Sequence, residues 1–416
     1  MFGIKTKIKK KISNSLNKKK FNQKGISLFE LFFLKKIILQ QLENEASFNN
    51  IQTPVSNKTN YIVKKTMKNM YQFMPNNLGN WSISKPHSLT TNLENNLIRA
   101  LKNSYSCSTD IIGHFGSGST EGNIFASWIG RNYLQKKLFI KDTKSIIMLK
   151  SSLAHYSIDK AADIVGVKIE ESNIKIETMN LSEQQLLKQI NKLYKKGIKG
   201  FLIPLTLGYT VSGTEDNYIL IHKLIQAFQK SHSDAKFFIW LDTAFSGISN
   251  IYTKNNFRPF ENKDIQLITS DFHKILSVPY PSSFMLYRSS LVNLISKEIP
   301  YIDQLDTTLL GSRPGINILA TWITLFGLGK TTIQKHIQDS LQRKNIFLTK
   351  IEQESKNIRI VSDQKSVQAC LITDNFKITT YLNKKYNLNA INYELKINNK
   401  KKKLFIHKLY FFPRII

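Results

Sequence analysis

The sequence predicts an α/β protein, with a large domain whose mostly parallel sheet carries helices on both faces and a small α+β domain after it. Its 416 residues are enough for one large domain and one smaller one. Along the middle of the chain, apolar runs of strand length alternate with helical patterns, which is typical of βαβ units. After Gly329 the charge density rises and the alternation changes. We therefore divide the chain into a basic N-terminal tail with a helical segment (1–85), a large α/β domain (86–330) and a small C-terminal α+β domain (331–416).

The composition is that of an ordinary globular protein, with 41% hydrophobic residues. No apolar run reaches the length that spans a membrane. The longest candidate, residues 26–39, is interrupted by Glu30, Lys35 and Lys36, and we interpret it as an amphipathic helix. Two cysteines do not indicate a disulfide framework. We therefore expect a protein without a membrane span, located in the reducing cytoplasm.

The net charge of +31 admits two interpretations. Such a basic chain could bind nucleic acid or an anionic membrane. However, its lysines are spread along the chain, and no basic stretch carries an aromatic-interleaved or RNA-binding signature. The densest basic runs, residues 5–20 and 399–403, lie near the termini and are typical of solvated tails. We interpret the charge as a compositional bias and expect no nucleic-acid partner.

The N-terminal region combines a basic tail with helical patterns. Residues 1–25 are basic and polar, which predicts disorder. A positive start before an apolar segment resembles a signal peptide, but the basic part is too long and no small-residue cleavage site follows it. Residues 26–48 have a helical pattern, and residues 61–74 suit a second helix. We therefore expect a tail followed by helices, and no secretion.

The central region shows the alternation most clearly. Apolar runs bounded by polar residues predict strands, and apolar residues at helical spacing predict helices. The predicted strands are residues 145–150, 201–205, 237–241 and 266–270, with further extended stretches at 168–170 and 174–177. The predicted helices are residues 93–103, 124–134, 156–165, 182–196 and 218–230. The small domain is predicted to end with residues 403–412.

A stretch of small residues, Gly113 to Asn123, runs directly into the predicted helix 124–134. Glycines let the backbone approach a ligand closely, and the N–H groups and dipole at a helix start attract an anion. The stretch therefore predicts a phosphate cradle. The alternative is a flexible turn with Thr120 as the helix cap. No Gly-Lys-Ser/Thr follows, so the stretch is not a Walker motif.

Asp242 and Lys274 each follow a predicted strand, at the edge of an open α/β sheet where ligands collect. Pyridoxal phosphate needs both residue types. A lysine amine forms its Schiff base, and a carboxylate opposite the pyridine nitrogen keeps that nitrogen protonated. The protonated ring then accepts electrons from the substrate Cα. Taken singly, the two residues are better explained as a helix cap and a surface lysine, but as a pair they predict a pyridoxal phosphate site.

Six motifs occur in the same order as in one enzyme family. They are Gly116–Asn123, His155–Ala162, Gly208–Asp216, Asp242–Ala244, Ser270–Lys274 and Gly311–Arg313. Together they resemble the pyridoxal-phosphate-dependent group II amino-acid decarboxylases, and most of all the bacterial histidine decarboxylase branch. The resemblance covers roughly residues 75–330. Each motif alone is weakly specific, whereas six in the right order and spacing are strongly specific.

The resemblance implies the PLP-dependent transferase-like fold (fold type I), a homodimer, and decarboxylation of an L-amino acid to an amine and CO2. The implied substrate is histidine-like or another aromatic or polar amino acid. Three catalytic residues are implied: Lys274 as the Schiff-base lysine, Asp242 as the partner of the pyridine nitrogen, and His155 stacked on the ring face. Ala244 would lie against the opposite face, where a larger side chain would clash. No metal is expected.

The resemblance also assigns the remaining cofactor contacts. The phosphate would be bound by backbone N–H, hydroxyl and imidazole groups from Ser117, Gly118, Ser119, Ser270 and His273. Thr210 would lie near the ring hydroxyl. For Arg313 two roles stay open, one at the dimer interface and one in a structural salt bridge.

The chain departs from the family pattern at several places. Its phosphate loop reads Gly-Ser-Gly-Ser in place of Thr-Asn/Ser-Gly-Gly, and Tyr209 stands where a threonine is expected. The stretch Val278–Ser283 lacks the usual Cys-Gly. Phe411–Arg414 resembles a segment that family members carry well before their ends, so the small domain is expected to be shortened.

Two alternatives to an amino-acid decarboxylase stay open. Function depends on the site rather than on the fold, so the same scaffold also suits another lyase or an aminotransferase. The shortened small domain and the basic charge instead favour a non-catalytic relative with a binding role. Residues 76–90 are expected on the substrate side, but their types do not identify the substrate.

Overall fold

The computed structural model describes residues 28–46, 51–52, 58–78, 89–254, 256–300, 304–397 and 400–413. The predicted tail 1–25 lies outside these residues. The chain divides into two compact units, residues 1–50 with 56–58, and residues 51–55 with 59–416. In the first unit, helix α1 (Leu28–Ala46) confirms the helix predicted for 26–48. All elements described below belong to the second unit.

The second unit alternates helices and strands along most of its length. Its first half contains α2 (Tyr61–Thr66), β1 (Asn76–Leu78), α3 (Leu89–Ser104), β2 (Ile111–Gly116), α4 (Ser119–Leu138), β3 (Ile146–Ser151), α5 (Ser157–Ile164), β4 (Lys168–Ser172), β5 (Ile174–Lys175), β6 (Asn180–Leu181), α6 (Glu183–Lys195) and β7 (Gly200–Thr206). Its second half contains α7 (Tyr218–Ser231), β8 (Lys236–Asp242), α8 (Gly247–Thr253), β9 (Ile265–Asp271), α9 (Phe272–Leu276), β10 (Ser283–Arg288), β11 (Lys297–Ile299), β12 (Gln304–Asp306), β13 (Ser312–Pro314), α10 (Gly315–Glu354), β14 (Arg359–Val361), β15 (Gln368–Thr373), α11 (Phe376–Tyr386), β16 (Ile391–Ile397) and β17 (Lys400–Tyr410). The elements predicted between residues 93 and 270 are confirmed, with shifted ends. The helix predicted for 61–74 is shorter than expected, because α2 ends at Thr66.

A seven-stranded sheet forms the centre of the large domain, in the strand order β2-β10-β9-β8-β7-β3-β4. Strands β4, β3, β7, β8 and β9 pair in parallel, whereas β10 runs antiparallel to both β9 and β2. The prediction of a mostly parallel sheet is confirmed. Because parallel strands end at the same edge, the residues at the ends of β7, β8 and β9 gather there.

The side chains of β8 alternate between two apolar cores, one on each face of the sheet. Phe238 and Trp240 belong to one core, which α4 also lines. Ile239 and Leu241 belong to the other core, which α7 also lines. Burying a side chain of this size contributes about 1.5–3 kcal/mol. The two-residue alternation therefore holds the sheet between helical layers, as predicted.

A four-stranded antiparallel sheet follows in the C-terminal region, in the order β14-β15-β17-β16. Leu371 and Leu409 of this sheet pack with Leu382 of α11 and Ile351 of α10. Helices against an antiparallel sheet give the α+β character predicted for residues 331–416. The boundary at residue 330 stays a prediction.

Helix α10 is broken at Gly329, where φ is +70°, a value that favours glycine. Among the described helices, α10 is the one that is long and apolar enough to span a membrane. The sequence analysis did not predict such a segment here. However, Ile318, Ile333 and Ile337 on this helix are buried in the main core. A helix buried in a protein core can have the same length and composition. We therefore attribute its apolar character to packing against α2, α3 and α8.

The predicted phosphate loop 113–123 is shorter than expected. Residues up to Gly116 belong to β2 and α4 begins at Ser119, so two residues join them. The glycines of β2 lack a side chain and so allow strand β10 to lie close to β2. A Cβ atom at Gly113 would lie 2.3 Å from the carbonyl oxygen of Met285. Strand packing, rather than ligand approach, therefore explains the first half of this small-residue stretch.

Candidate active site

A cavity of about 180 Å³ opens at the edge where β7, β8 and β9 end. Its lining consists of Gly118, Ser119, Thr120, His155, Thr206, Gly208, Thr210, Asp242, Ala244, Phe245, Asp271, His273 and Lys274. Eight of the ten cofactor-binding residues predicted from the sequence are among them, and Ser117 and Ser270 are not. The parallel strands therefore bring together the predicted residues that are far apart in the chain.

Asp242 is the last residue of β8 and is only 4% exposed. Its carboxylate accepts a hydrogen bond from Asn123 Nδ2 at 2.9 Å. Asn123 is held in turn by Trp240, whose Nε1 donates to Asn123 Oδ1 at 3.0 Å. Burial raises the pKa of the Asp242 carboxyl, and the hydrogen bond and nearby positive charge oppose that rise. The carboxylate is thus fixed in direction, and its ionised form depends on a positive partner.

His155 lies in the segment between β3 and α5 and lines the cavity. The backbone N–H of Ser157 donates to His155 Nδ1 at 3.3 Å, and the Ser157 hydroxyl lies 2.8 Å from the same nitrogen. That hydroxyl also accepts from Asn123 Nδ2, so its own proton is directed to the imidazole. Nδ1 is therefore the acceptor, and the neutral ring carries its proton on Nε2. Burial lowers the pKa of His155, which favours the neutral ring.

Lys274 lies on α9, the short helix that follows β9. Its Nζ is 3.3 Å from Asp271 Oδ2 and 3.8 Å from the centre of the Phe245 ring, within the range of a cation–π contact. The Phe245 ring stacks on Tyr410 and Phe412, with centroid distances of 5.8 Å and 6.0 Å. The lysine amine is therefore held at the cavity by a carboxylate and an aromatic face.

Asp271 lines the cavity, although the resemblance gave it no role. Its Oδ1 accepts two hydrogen bonds from Ser119, from the backbone N–H at 2.7 Å and from the hydroxyl at 2.8 Å. Its Oδ2 lies 3.3 Å from Lys274 Nζ and 3.5 Å from His273 Nε2. The carboxylate of Asp271 therefore connects the start of α4 with the lysine.

Ser117 and Ser270 lie off the cavity. The Ser270 side chain is fully buried, and its hydroxyl donates to the Thr243 carbonyl at 2.9 Å. The Ser117 N–H donates to the Glu121 carboxylate. Successive residues of a strand point to opposite faces, so Asp271 reaches the cavity where Ser270 cannot. The phosphate contacts predicted for the two serines find no support in these positions.

The predicted motif 208–216 forms a loop held by buried hydroxyl groups. Thr210 lines the cavity, and its carbonyl accepts a hydrogen bond from Tyr410 Oη at 2.7 Å. Tyr209, which stands where a threonine was expected, is buried, and its hydroxyl donates to the Asp216 carboxylate at 2.8 Å. Burial raises the pKa of Asp216 to about 6. Tyr209 therefore supports the loop from the core and leaves the cavity to Thr210.

Arg313 forms a buried ion pair with Glu94, with 2.6 Å between Nη1 and Oε1. The Phe115 N–H donates to the same Glu94 oxygen, and Arg313 Nη1 donates to the Phe115 carbonyl. Both backbone groups of Phe115 are thus held just before the Ser117–Gly118 connection. Of the two roles left open for Arg313, the structure shows the salt bridge.

Solved structures identify the fold class. L-methionine decarboxylase from Streptomyces sp. 590 gives a TM-score of 0.74 at 16% identity, covering 95% of this chain and 93% of that one. Glutamate decarboxylase from Lactobacillus brevis gives a TM-score of 0.75 at 14% identity, covering 96% and 90%. At such identities the likeness shows the fold alone. The fold is that of the fold type I enzymes, as predicted.

The family follows from the sequence match. Residues 84–373 match the family model described as the pyridoxal-dependent decarboxylase conserved domain. The chain therefore belongs to the pyridoxal-dependent decarboxylase family, whose cofactor is pyridoxal phosphate. This confirms the resemblance drawn from the six motifs.

Relatives in the family are named for different substrates. Tryptophan decarboxylase of Clostridium sporogenes is 32% identical over 262 residues, which is 61% of each chain. Histidine decarboxylase of Vibrio anguillarum is 27% identical over 300 residues, 71% of this chain and 72% of that one. The match thus spans less than two thirds of the tryptophan decarboxylase. The histidine decarboxylase branch is among the relatives.

The residues of the cavity fit pyridoxal phosphate. Asp242 would supply a fixed carboxylate for the ring nitrogen, Lys274 would supply an amine, and His155 would supply a flat neutral ring. Gly118 has a φ of +100°, and nothing in the described residues lies within 4 Å of a Cβ placed there. No side chain at Gly118 therefore blocks a phosphate, which would use the N–H groups at the start of α4 as donors. No cluster of three or more His, Cys, Asp or Glu suited to a metal ion occurs in the described part of the chain.

Three residues of the site were missed by reasoning from motifs: Asn123, Phe245 and Asp271. Asn123 follows Ser119 by four residues on α4, a spacing that places both on one helix face. Asp271 is the terminal residue of β9, the position at which ligands of parallel sheets collect. These two signals were available in the sequence. No comparable signal identifies Phe245, because its place depends on the C-terminal strand that covers it.

Proposed function

We propose that this protein decarboxylates an L-amino acid to an amine and CO2 with pyridoxal phosphate. The proposed substrate has an aromatic or polar side chain, as histidine does. The observation that carries this proposal is the presence of a fixed, buried carboxylate (Asp242) and a lysine amine (Lys274) on one cavity. The family membership and the names of the relatives support it.

Asp242 would polarise the cofactor ring, and Lys274 would anchor the cofactor. When bound, pyridoxal phosphate supplies a cationic ring that draws the electrons left on the substrate Cα as CO2 departs. The Asp242 carboxylate would stabilise the proton on the ring nitrogen. Burial raises the pKa of Asp242, and a positive charge at that nitrogen would oppose the rise. Lys274 Nζ would anchor the cofactor in the same cavity.

His155 and Ala244 suit the two faces of a flat ring. The neutral His155 ring would stack on it without adding a charge, and its orientation is fixed through Ser157. The Ala244 methyl leaves space where a larger side chain would fill the cavity. Thr210, which lines the cavity and whose carbonyl is held by Tyr410, would be a partner for the ring hydroxyl. Together these residues would hold the ring in one plane, which is the kind of positioning that lowers a reaction barrier.

Product analysis tests the proposed reaction. The full chain, loaded with pyridoxal phosphate, is incubated with a panel of amino acids that includes histidine, tryptophan, serine and aspartate. We expect CO2 and the matching amine, detected by mass spectrometry, from at least one aromatic or polar substrate. Lys274→Ala should abolish both products.

Other outcomes would identify the alternatives. A keto-acid product without CO2 would indicate an aminotransferase. A folded protein that acquires no cofactor absorbance would contradict the enzyme and support a binding role. CO2 release from none of the amino acids, despite bound cofactor, would contradict decarboxylation.

We also propose a homodimer located in the cytoplasm. Leu305 and Leu310, which precede the Ser312 region, are 52% and 40% exposed and suit a contact between subunits. Cys107 and Cys370 are both free thiols, and burial raises the pKa of each to about 12. Unreactive, unpaired thiols suit a reducing compartment. Recovery of the native protein in a membrane or exported fraction would contradict the location.

A further inference from the structure

We propose that the Asp271 carboxylate is an internal counter-anion, which occupies the phosphate-binding position of the cavity and must release it for the cofactor to bind. The inference rests on the proposed function in one respect, that the start of α4 receives the phosphate of pyridoxal phosphate. It assigns to Asp271 the control of cofactor affinity.

Asp271 engages two hydrogen-bond donors at the start of α4, while the neighbouring Gly118 N–H donates to the Ser283 hydroxyl at 2.8 Å. Ser119 is the first residue of the 20-residue helix α4, and its N–H and its hydroxyl both donate to Asp271 Oδ1. A helix start attracts an anion through its unpaired N–H groups and its dipole. Hydrogen bonds to a carboxylate are charge-assisted and therefore strong. Asp271 thus fills the role that a phosphate oxygen would fill.

The second oxygen of Asp271 faces the residues that the cofactor would engage. Oδ2 lies 3.3 Å from Lys274 Nζ and 3.5 Å from His273 Nε2. Burial lowers the pKa of His273, so the Lys274 ammonium is the cation that holds this oxygen. Among the residues that line the cavity, Lys274 is the one lysine or arginine. A cofactor bound to the Lys274 amine would compete with Asp271 for this partner. Anchoring at the lysine therefore favours release at the start of α4.

The two anions repel each other if both approach Ser119. Asp271 is only 3% exposed, so water screens this repulsion weakly. A purely structural role for Asp271 would not depend on its charge. If Asp271 only held Ser119 in place by hydrogen bonds, a neutral acceptor oxygen would suffice. If Asp271 is the counter-anion, its charge weakens phosphate binding.

The variant Asp271→Asn separates the two roles, because it keeps an acceptor oxygen for Ser119 and removes the charge. We expect the cofactor-free full chain with this substitution to bind inorganic phosphate about tenfold more tightly than the wild type, measured by calorimetry. Pyridoxal 5′-phosphate should also bind the variant more tightly than the wild type. Pyridoxal, which lacks the phosphate, should gain much less in affinity, because it competes with Asp271 for Lys274 alone and not for Ser119.

Asp234→Asn is the matched control. Asp234 pairs with Lys199 at 2.7 Å on the surface, so the control removes the same charge and should not change phosphate affinity. Asp271→Ser provides the same comparison with a hydroxyl acceptor if circular dichroism shows that Asp271→Asn does not fold. Equal or weaker phosphate binding would overturn the proposal. A gain in pyridoxal affinity equal to the gain in pyridoxal 5′-phosphate affinity would also overturn the proposal, because such a result would show that the substitution loosens the whole cavity. These readouts need no turnover, so they distinguish this inference from a failure of the proposed reaction.

Discussion

At the scale of single residues, Asn123 determines how the Asp242 and His155 side chains are held. Trp240 donates to its Oδ1, so the amide nitrogen must face the other way. That nitrogen donates to Asp242 and to Ser157, which in turn positions His155. One buried amide therefore fixes a carboxylate and an imidazole together. Such support keeps an active site in its reactive geometry.

Lys274 is predicted to be the residue that binds the cofactor covalently. Borohydride reduction of the loaded protein followed by peptide mapping should find the pyridoxyl group on Lys274. Lys344 is the natural internal control, because burial lowers its pKa to about 8 and makes its amine more reactive. Its Nζ nevertheless donates to the Ser366 carbonyl at 2.7 Å, away from the cavity. A label on Lys344 or on any other lysine would contradict the assignment.

Asp242→Asn is predicted to abolish turnover while cofactor stays bound. A neutral amide cannot hold the ring nitrogen protonated, whereas Lys274 and the start of α4 still bind the cofactor. We expect kcat to fall about a thousandfold or more, equivalent to a loss of several kcal/mol in transition-state stabilisation. The measurement is steady-state decarboxylation, with cofactor content determined by absorbance.

Asp110→Asn is the control for Asp242→Asn. The half-exposed Asp110 pairs with the largely buried Arg288 at 2.9 Å, so its substitution removes one charge outside the cavity. Arg288 keeps its hydrogen bonds to the carbonyls of Ile265, Phe260 and Asn262. Turnover should then be unchanged, and the stability cost should be about 1 kcal/mol or less. A fully loaded Asp242→Asn protein with near-normal kcat would show that Asp242 does not polarise the ring.

At the scale of elements, the approach of α4 to the sheet places both Ser119 and Asn123. Gly122 lies between them on the first turn of the helix, directly against β9. A Cβ atom at Gly122 would lie 1.9 Å from Thr269 Oγ1, and Thr269 is fully buried. Only glycine therefore allows the helix start to lie this close to the strand. The position of the start of α4, where we propose that phosphate binds, depends on this contact.

Gly122→Ala is predicted to destabilise the fold by about 1–3 kcal/mol, since the extra methyl overpacks a buried contact. Thermal or denaturant unfolding measures the change. Gly327→Ala on α10 is the control, because its Cβ would meet only the flexible end of Ile62 at 3.3 Å. Alanine there should be neutral or slightly stabilising, as helix propensity favours it. Equal effects at the two glycines would refute the close-packing explanation.

At the scale of the molecule, the last described strand reaches back to the active site. Tyr410 and Phe412 stack on Phe245, whose ring contacts Lys274, and Tyr410 also binds the Thr210 carbonyl. The C-terminal region therefore supports two sides of the cavity that the large domain supplies. This contact gives the C-terminal sheet a direct part in positioning the lysine.

The protein is predicted to be a homodimer through the loop that precedes Ser312. Light scattering should give twice the chain mass of 48.0 kDa. Leu310→Asp should shift the protein towards the monomer, because it introduces a charge into an apolar contact. Ile346→Asp, at a residue 65% exposed on α10, is the control and should remain dimeric. A monomeric wild type that is loaded and active would refute the prediction.

Much of the architecture is encoded locally in the sequence. The alternation of apolar residues along β8 and the helical spacing along α7 follow from neighbouring residues, so their patterns predict them without tertiary information. The same holds for the residue types at Asp242 and Lys274, which the chemistry of the cofactor requires. Motif order then identified the family, which the comparison confirmed. Element ends were less certain, because the final turn of a helix depends on what packs against it.

Tertiary structure alone decided which neighbouring side chains reach the cavity. Asp271 lines it and Ser270 does not, because the pleat of β9 turns adjacent residues to opposite faces. The ion pair between Glu94 and Arg313 joins residues 219 positions apart, and no local pattern encodes it. Phe245 likewise acquires its place only when the C-terminal strand packs on it. Such contacts depend on the register and packing of distant segments, so they exist only in the folded chain.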